Sequence, residues 1–104
     1  MENSYIGKLM ERDVWFGKIT NVRQVRTDYG LRHVYKFVTR SGKFGVFFSD
    51  EKPDLNHGVC FTFNGTVKKQ SYNEYDKQHE TGFNRVEIVK IVGKVEEELE
   101  GTPY

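Results

Sequence analysis

The chain has 104 residues, of which 37% are hydrophobic, 30% charged and 14% aromatic, which fits one globular domain and is too aromatic for a disordered chain. Cys60 is the single cysteine, so an internal disulfide is excluded. No apolar run is long enough to span a membrane and the N-terminus lacks the apolar segment of a signal peptide, so we expect a cytoplasmic protein without membrane association.

The net charge of +1 conceals an uneven distribution along the chain. Residues 18–43 hold seven basic residues against one acidic residue, which gives +6, whereas the four glutamates of residues 95–104 give −4. A basic block followed by an acidic tail suggests a body that binds a polyanion and a tail that competes for the same surface. An ordinary solvated surface with a frayed acidic end is the alternative.

Strand patterns dominate the chain, with turn residues between them, and no segment keeps a helical period. Five runs are predicted: residues 14–26, 31–39, 43–49, a run that starts at Val59, and a run from Phe83 to about Val95. The first and fifth runs change the phase of their apolar alternation, which indicates β-bulges. We prefer a bend over a hairpin at Asn64-Gly65, and we interpret residues 70–82 as a loop. The sequence therefore predicts an all-β fold, a five-stranded OB-type barrel.

The aromatic residues are more numerous than a core of this size requires, so some should be exposed. If Val34 and Val38 point inward, Tyr35 and Phe37 lie outside, and Phe47 lies outside if Phe48 is buried. Rings on a basic surface suit single-stranded nucleic acid, because unpaired bases stack on the rings while cations hold the phosphates. The alternative is that Tyr35 and Phe37 are core residues.

Basic and aromatic residues of the other elements complete the predicted nucleic-acid site. Trp15 is a further candidate unless the N-terminal segment covers it. Tyr72 and Tyr75 would close over a strand from the loop that flanks the groove of an OB fold, and the alternative is that they only pack locally. The predicted phosphate ligands are the basic residues Lys18, Arg23, Arg26, Arg32, Lys36, Lys43, Lys68, Lys69 and Arg85.

Two strand motifs resemble those of cold-shock-type OB folds. They are Tyr35-Lys36-Phe37-Val38 and Val46-Phe47-Phe48-Ser49, within a likeness that covers residues 17–63. The resemblance implies that Tyr35, Phe37 and Phe47 are stacking residues. Lys36 stands where the family has glycine and Ser49 where it has histidine.

The C-terminus is similar to the acidic tip of bacterial and phage single-stranded DNA-binding proteins. The resemblance implies a flexible tail that recruits replication, recombination or repair proteins, with Tyr104 in the place of the usual phenylalanine. The residues predicted to bind such partners are Glu96, Glu97, Glu98, Glu100, Pro103 and Tyr104.

No catalytic motif is present and the histidines lie on separate elements, so we expect neither an enzyme, a metal site nor a cofactor.

The predicted organisation is an N-terminal extension at 1–12, a nucleic-acid-binding OB domain at 13–95 and the tail at 96–104. The predicted function is binding of single-stranded DNA with little sequence preference. The alternatives are a cold-shock-like RNA chaperone and a protein-interaction OB domain such as a phage inhibitor of a host enzyme. A homo-oligomer is left open.

Overall fold

Five β-strands form the fold in a computed structural model that describes residues 4–49 and 55–94. The strands are β1 Arg12–Thr27, β2 Gly30–Val38, β3 Phe44–Ser49, β4 Val59–Asn73 and β5 Gln78–Lys94. The predicted all-β class and the five runs are confirmed. Within the described ranges, no helix is long and apolar enough to cross a membrane.

The strands make one sheet that closes into a ring in the order β1-β2-β3-β5-β4, with β4 returning to β1. All neighbours are antiparallel except β3 and β5, which run parallel. β1 pairs with two strands: its residues Arg12–Lys18 pair with β4 and its residues Lys18–Thr27 pair with β2. The register shifts between Ile19 and Asn21. The bulge that the phase change predicted in this strand is therefore confirmed.

β4 and β5 form a long, irregular hairpin. The register shifts between Asn64 and Thr66 without ending β4, so the predicted bend at Asn64-Gly65 is confirmed, as is the phase slip in β5. The prediction of a loop over residues 70–82 is wrong, because pairing continues through Tyr72 and His79. The residues from Tyr72 to His79 lie beyond the pairing of β5 with β3, which begins at Glu80, whereas Thr81 is fully buried within that pairing.

The inner face of the ring is filled by aromatic side chains. Phe37, Phe61 and Phe63 are fully buried, and Tyr35 and Phe47 are 1% and 2% exposed. The prediction that Tyr35, Phe37 and Phe47 lie outside is therefore wrong, and the alternative that placed Tyr35 and Phe37 in the core is confirmed. The physical reason is the space left by two glycines. A Cβ atom at Gly17 or Gly45 would collide with the ring of Phe37.

The N-terminal segment covers one opening of the ring. Ile6 belongs to the core, and its backbone N–H donates a 2.8 Å hydrogen bond to Thr81 Oγ1. Trp15 packs against this core and donates from Nε1 to the carbonyl oxygen of Gly65 at 2.9 Å. Gly7 lies against the indole, since a Cβ at that position would approach it to 2.6 Å. Trp15 is thus half-buried against the core and the N-terminal segment, which agrees with the alternative that this segment covers it and not with a fully exposed stacking residue.

Candidate functional site

A groove of about 550 Å³ runs where the outer face of β1, β2 and β3 meets the β4–β5 hairpin. Five apolar residues line it: Val25, Val34, Val46, Phe48 and Phe83. Six basic side chains line it as well: Arg23, Arg32, Lys36, Lys68, Lys69 and Arg85. All six were predicted from the sequence to bind nucleic acid, and the fold brings them together.

Strand register explains why this face carries both apolar and basic groups. Arg23 is paired with Val34 across β1 and β2, and Val34 is paired with Phe48 across β2 and β3. Directly paired residues project from the same face of a sheet, and their neighbours in sequence project from the other. The residues that face the groove are therefore those that alternate along β2 and β3 with the buried Tyr35 and Phe47.

Two bulges in the β4–β5 hairpin increase the density of polar groups on the groove. Val67 is paired with Phe83 and Lys69 with Gly82, so Lys68 is an extra residue in β4. An extra residue breaks the alternation of side chains, and Lys68 and Lys69 both line the groove. A second irregularity has the same result in β5, where Asn84 and Arg85 are consecutive lining residues.

The groove concentrates positive charge. Six basic lining residues and one acidic lining residue, Glu80, give a formal charge of +5. Because the whole chain carries +1, the remaining residues together carry −4. The fold therefore gathers basic residues of β1, β2, β4 and β5 into one surface suited to an anion.

Lys36 is held between two carboxylates in the wall of this groove. Its Nζ lies 2.6 Å from Asp76 Oδ2 and 3.2 Å from Glu80 Oε2, and the residue is 8% exposed. The hydrogen bond and charge of Lys36 lower the pKa of Asp76. Glu80 also accepts hydrogen bonds from Asn73 and Gln78. Lys36 therefore fixes the hairpin against β2, and its charge is already compensated by these acids.

Phe48 is the exposed ring of the groove. It is 48% exposed, and the guanidinium carbon of Arg32 lies 5.4 Å from its ring centroid. The sequence reasoning missed Phe48 because it buried the row of Phe44, Val46 and Phe48. Gly45 was the available signal, since a small residue beside Phe47 on one face is typical of the tapered interior of a small closed sheet.

Several predicted residues lie away from the groove. Lys18, Arg26 and Lys43 do not line it. Tyr72 is paired with His79 and packs on its ring at 5.0 Å, on the face of the hairpin opposite to Ser71 and Glu80. Tyr75 is fully exposed in the hairpin turn. The structure thus separates these residues from the six basic side chains that it brings together.

The predicted partner-binding residues of the tail lie outside the described residues. In the part of the chain that the structure describes, no group of three or more histidine, cysteine, aspartate or glutamate side chains is arranged to hold a metal ion. Cys60 is buried, and burial raises the pKa of its thiol.

Comparison of the chain with known protein families, with curated proteins and with solved structures finds no match. The interpretation of the groove therefore depends on its own geometry and chemistry.

Proposed function

We propose that the protein is an OB-type barrel that binds single-stranded DNA in the groove between β2–β3 and the β4–β5 hairpin. The observation that carries the proposal is the half-exposed ring of Phe48 in a groove of formal charge +5. The ring offers a stacking surface to an unpaired base, and the surrounding cations neutralise the phosphates.

The arrangement of the strands supports this proposal. Five strands that close in the order β1-β2-β3-β5-β4, with β3 and β5 parallel, support the proposal of an OB fold. In that fold, the face of the second and third strands and the loop between the fourth and fifth bind oligonucleotides or oligosaccharides. The groove occupies this position, and its charge favours the phosphate-bearing ligand.

The proposed mechanism replaces the stacking surface inferred from the sequence. One base stacks on Phe48, where stacking contributes about 1 to 3 kcal/mol. The phosphates lie along Arg23, Lys68, Lys69 and Arg85. Such contacts read no base sequence, so binding has little sequence preference. In this proposal the acidic tail at 96–104 recruits replication or recombination proteins.

The test is a fluorescence-anisotropy titration of a labelled oligothymidylate of about 16 nucleotides, the upper end of what one such domain covers. If Arg23, Lys68, Lys69 and Arg85 each meet a phosphate, log K should fall against log salt with a slope of about −2.8. Absence of binding at low salt would refute the proposal. Tighter binding of oligouridylate than of oligothymidylate would make RNA the ligand instead.

Two arginines of β1 provide a matched pair of variants. Arg23 lines the groove, whereas Arg26, three residues further along the same strand, is exposed outside it. Arg23→Glu should weaken binding at least about tenfold and reduce the salt slope, because it removes one phosphate contact and adds repulsion. Arg26→Glu should have a much smaller effect. Equal losses for both variants would indicate general charge attraction without a defined groove.

A further inference from the structure

Arg85 has an unusual backbone conformation. Its φ is +54°, in the left-handed region that a residue with a Cβ adopts only at a cost. In the same strand, Gly93 occupies a comparable position with φ +109°, where glycine relieves the strain. β5 therefore uses glycine at one left-handed position and arginine at the other. A residue that keeps such strain next to a binding surface is a candidate for function.

The left-handed conformation directs the arginine toward the groove. Asn84 is paired with Thr66 and Glu87 with Asn64, so β5 has one residue more than β4 in this interval. The consecutive residues Gly82, Phe83, Asn84 and Arg85 line the groove, and the bulge that contains Arg85 follows directly after Asn84. The guanidinium of Arg85 makes no ion pair with the described residues.

A second arginine holds this bulge in place. Arg12 Nη1 donates to the backbone carbonyl oxygen of Arg85 at 3.0 Å and to Thr66 Oγ1 at 3.0 Å. Its Nη2 donates to Glu87 Oε1 at 3.1 Å. The side chain of Arg12 thus connects β1 to Thr66 of β4 and to Arg85 and Glu87 of β5. Arg12 does not line the groove itself.

We propose that Arg85 binds a phosphate of the bound DNA strand and that its strained backbone is retained for this contact. Arg12 is the residue that positions Arg85. This inference rests on the proposed function and adds the residue that orients the strand along the hairpin wall. A guanidinium can donate two parallel hydrogen bonds to one phosphate, a geometry that the lysines of the same wall cannot offer.

Lys77 supplies a matched control for the strain. It has φ +53°, nearly the value of Arg85, and it lies in the hairpin turn outside the groove. Replacement of either residue by glycine removes one positive charge and the same backbone strain. Both substitutions act at a left-handed position, and of the two residues only Arg85 lines the groove.

The experiment measures melting temperature and oligothymidylate affinity for both glycine variants. We expect both to melt at or above the wild-type temperature, since glycine relieves a left-handed residue. Arg85→Gly should lose about tenfold in affinity and about 0.7 in salt slope, whereas Lys77→Gly should keep both. Equal affinity losses for the two variants, or wild-type affinity of Arg85→Gly, would overturn the inference. A melting temperature of Arg85→Gly below the wild type would also overturn the strain argument.

Two further variants separate positioning from general stability. Compared with Arg85→Gly, Arg85→Lys should have the wild-type salt slope but only part of the wild-type affinity. Lysine keeps the positive charge but cannot donate two parallel hydrogen bonds to one phosphate. Arg12→Met should lower the salt slope as Arg85→Gly does, and the double variant should bind no more weakly than Arg85→Gly alone. Additive losses would show that Arg12 acts independently of Arg85. Failure of the wild type to bind any oligonucleotide would instead refute the proposed function, so the two failures are distinguishable.

Discussion

Phe47 and Phe48 are adjacent in sequence, and the structure gives them opposite roles. Phe47 is 2% exposed and belongs to the core, whereas Phe48 is 48% exposed in the groove. Replacing each in turn by alanine tests whether β3 has been assigned to the correct face. Phe47→Ala should act on folding, and Phe48→Ala should act on binding.

The magnitudes follow from what each ring contacts. Phe47 packs on the rings of Tyr35, Phe37, Phe61 and Phe63 at centroid distances of 5.1 to 6.2 Å. Truncation of such a ring leaves a cavity and costs about 3 to 5 kcal/mol. For a domain of this size the melting temperature should fall by about 12 °C or more. Phe48→Ala should cost less than about 1 kcal/mol of stability but about 1 to 3 kcal/mol of binding, about 5- to 150-fold in affinity.

Urea denaturation followed by circular dichroism measures the first effect, and anisotropy titration with oligothymidylate measures the second. Wild-type stability of Phe47→Ala together with unfolding of Phe48→Ala would refute the face assignment. A folded Phe48→Ala variant with wild-type affinity would leave the assignment intact and remove stacking on Phe48 from the proposed mechanism.

Two further predictions concern the core and the ion pair at the hairpin. Gly45→Ala should cost about 1 to 3 kcal/mol in urea denaturation, because its Cβ meets the Phe37 ring. In Gly82→Ala the nearest atom is 3.5 Å away, so equal losses for both variants would contradict the packing argument. Because Lys36 lowers the pKa of Asp76, this carboxylate stabilises the fold at neutral pH and loses that effect as pH falls below its ordinary value of 3.8. The stability difference between wild type and Asp76→Asn should therefore shrink in acid, and a difference independent of pH would oppose this account.

The strand pattern of the fold could be predicted from local sequence because bulges leave a local signal. The change of phase near Ile19 marked the bulge of β1 before any coordinates, and Asn64-Gly65 marked a bend in β4. The hairpin at residues 70–82 left no such signal. Its strands pair polar residues with each other, and polar alternation does not distinguish a projecting strand from a loop.

The faces of β2 and β3 are ambiguous in local sequence, because both faces carry apolar residues and Gly45 is a local signal that distinguishes them. The choice depends on Gly17, which lies on a different strand and leaves the space that the ring of Phe37 fills. Lys36 favoured the alternative that is confirmed, because burial of Tyr35 and Phe37 places Lys36 on the outer face, where Asp76 and Glu80 meet it. The basic residues of the groove were predictable as a set, since their charge is visible in sequence. The bulges at Lys68 and Arg85, which bear on which of these basic residues line the groove, were not predictable from the sequence.

The ring is closed by its shortest strand pairing, the seam between β3 and β5. β3 and β5 pair only over Phe44–Phe47 and Glu80–Phe83, whereas β4 and β5 pair along nearly their whole length. With four residue pairs this seam is the least extensive strand pairing of the ring, so we expect it to open locally before the others. In the native protein, the amides of Gly45 and Val46 should therefore exchange with solvent through local opening before those at the centre of β4. Because Val46 and Phe48 lie on one side of the seam and Arg85 on the other, each such opening widens the groove while the rest of the sheet stays paired.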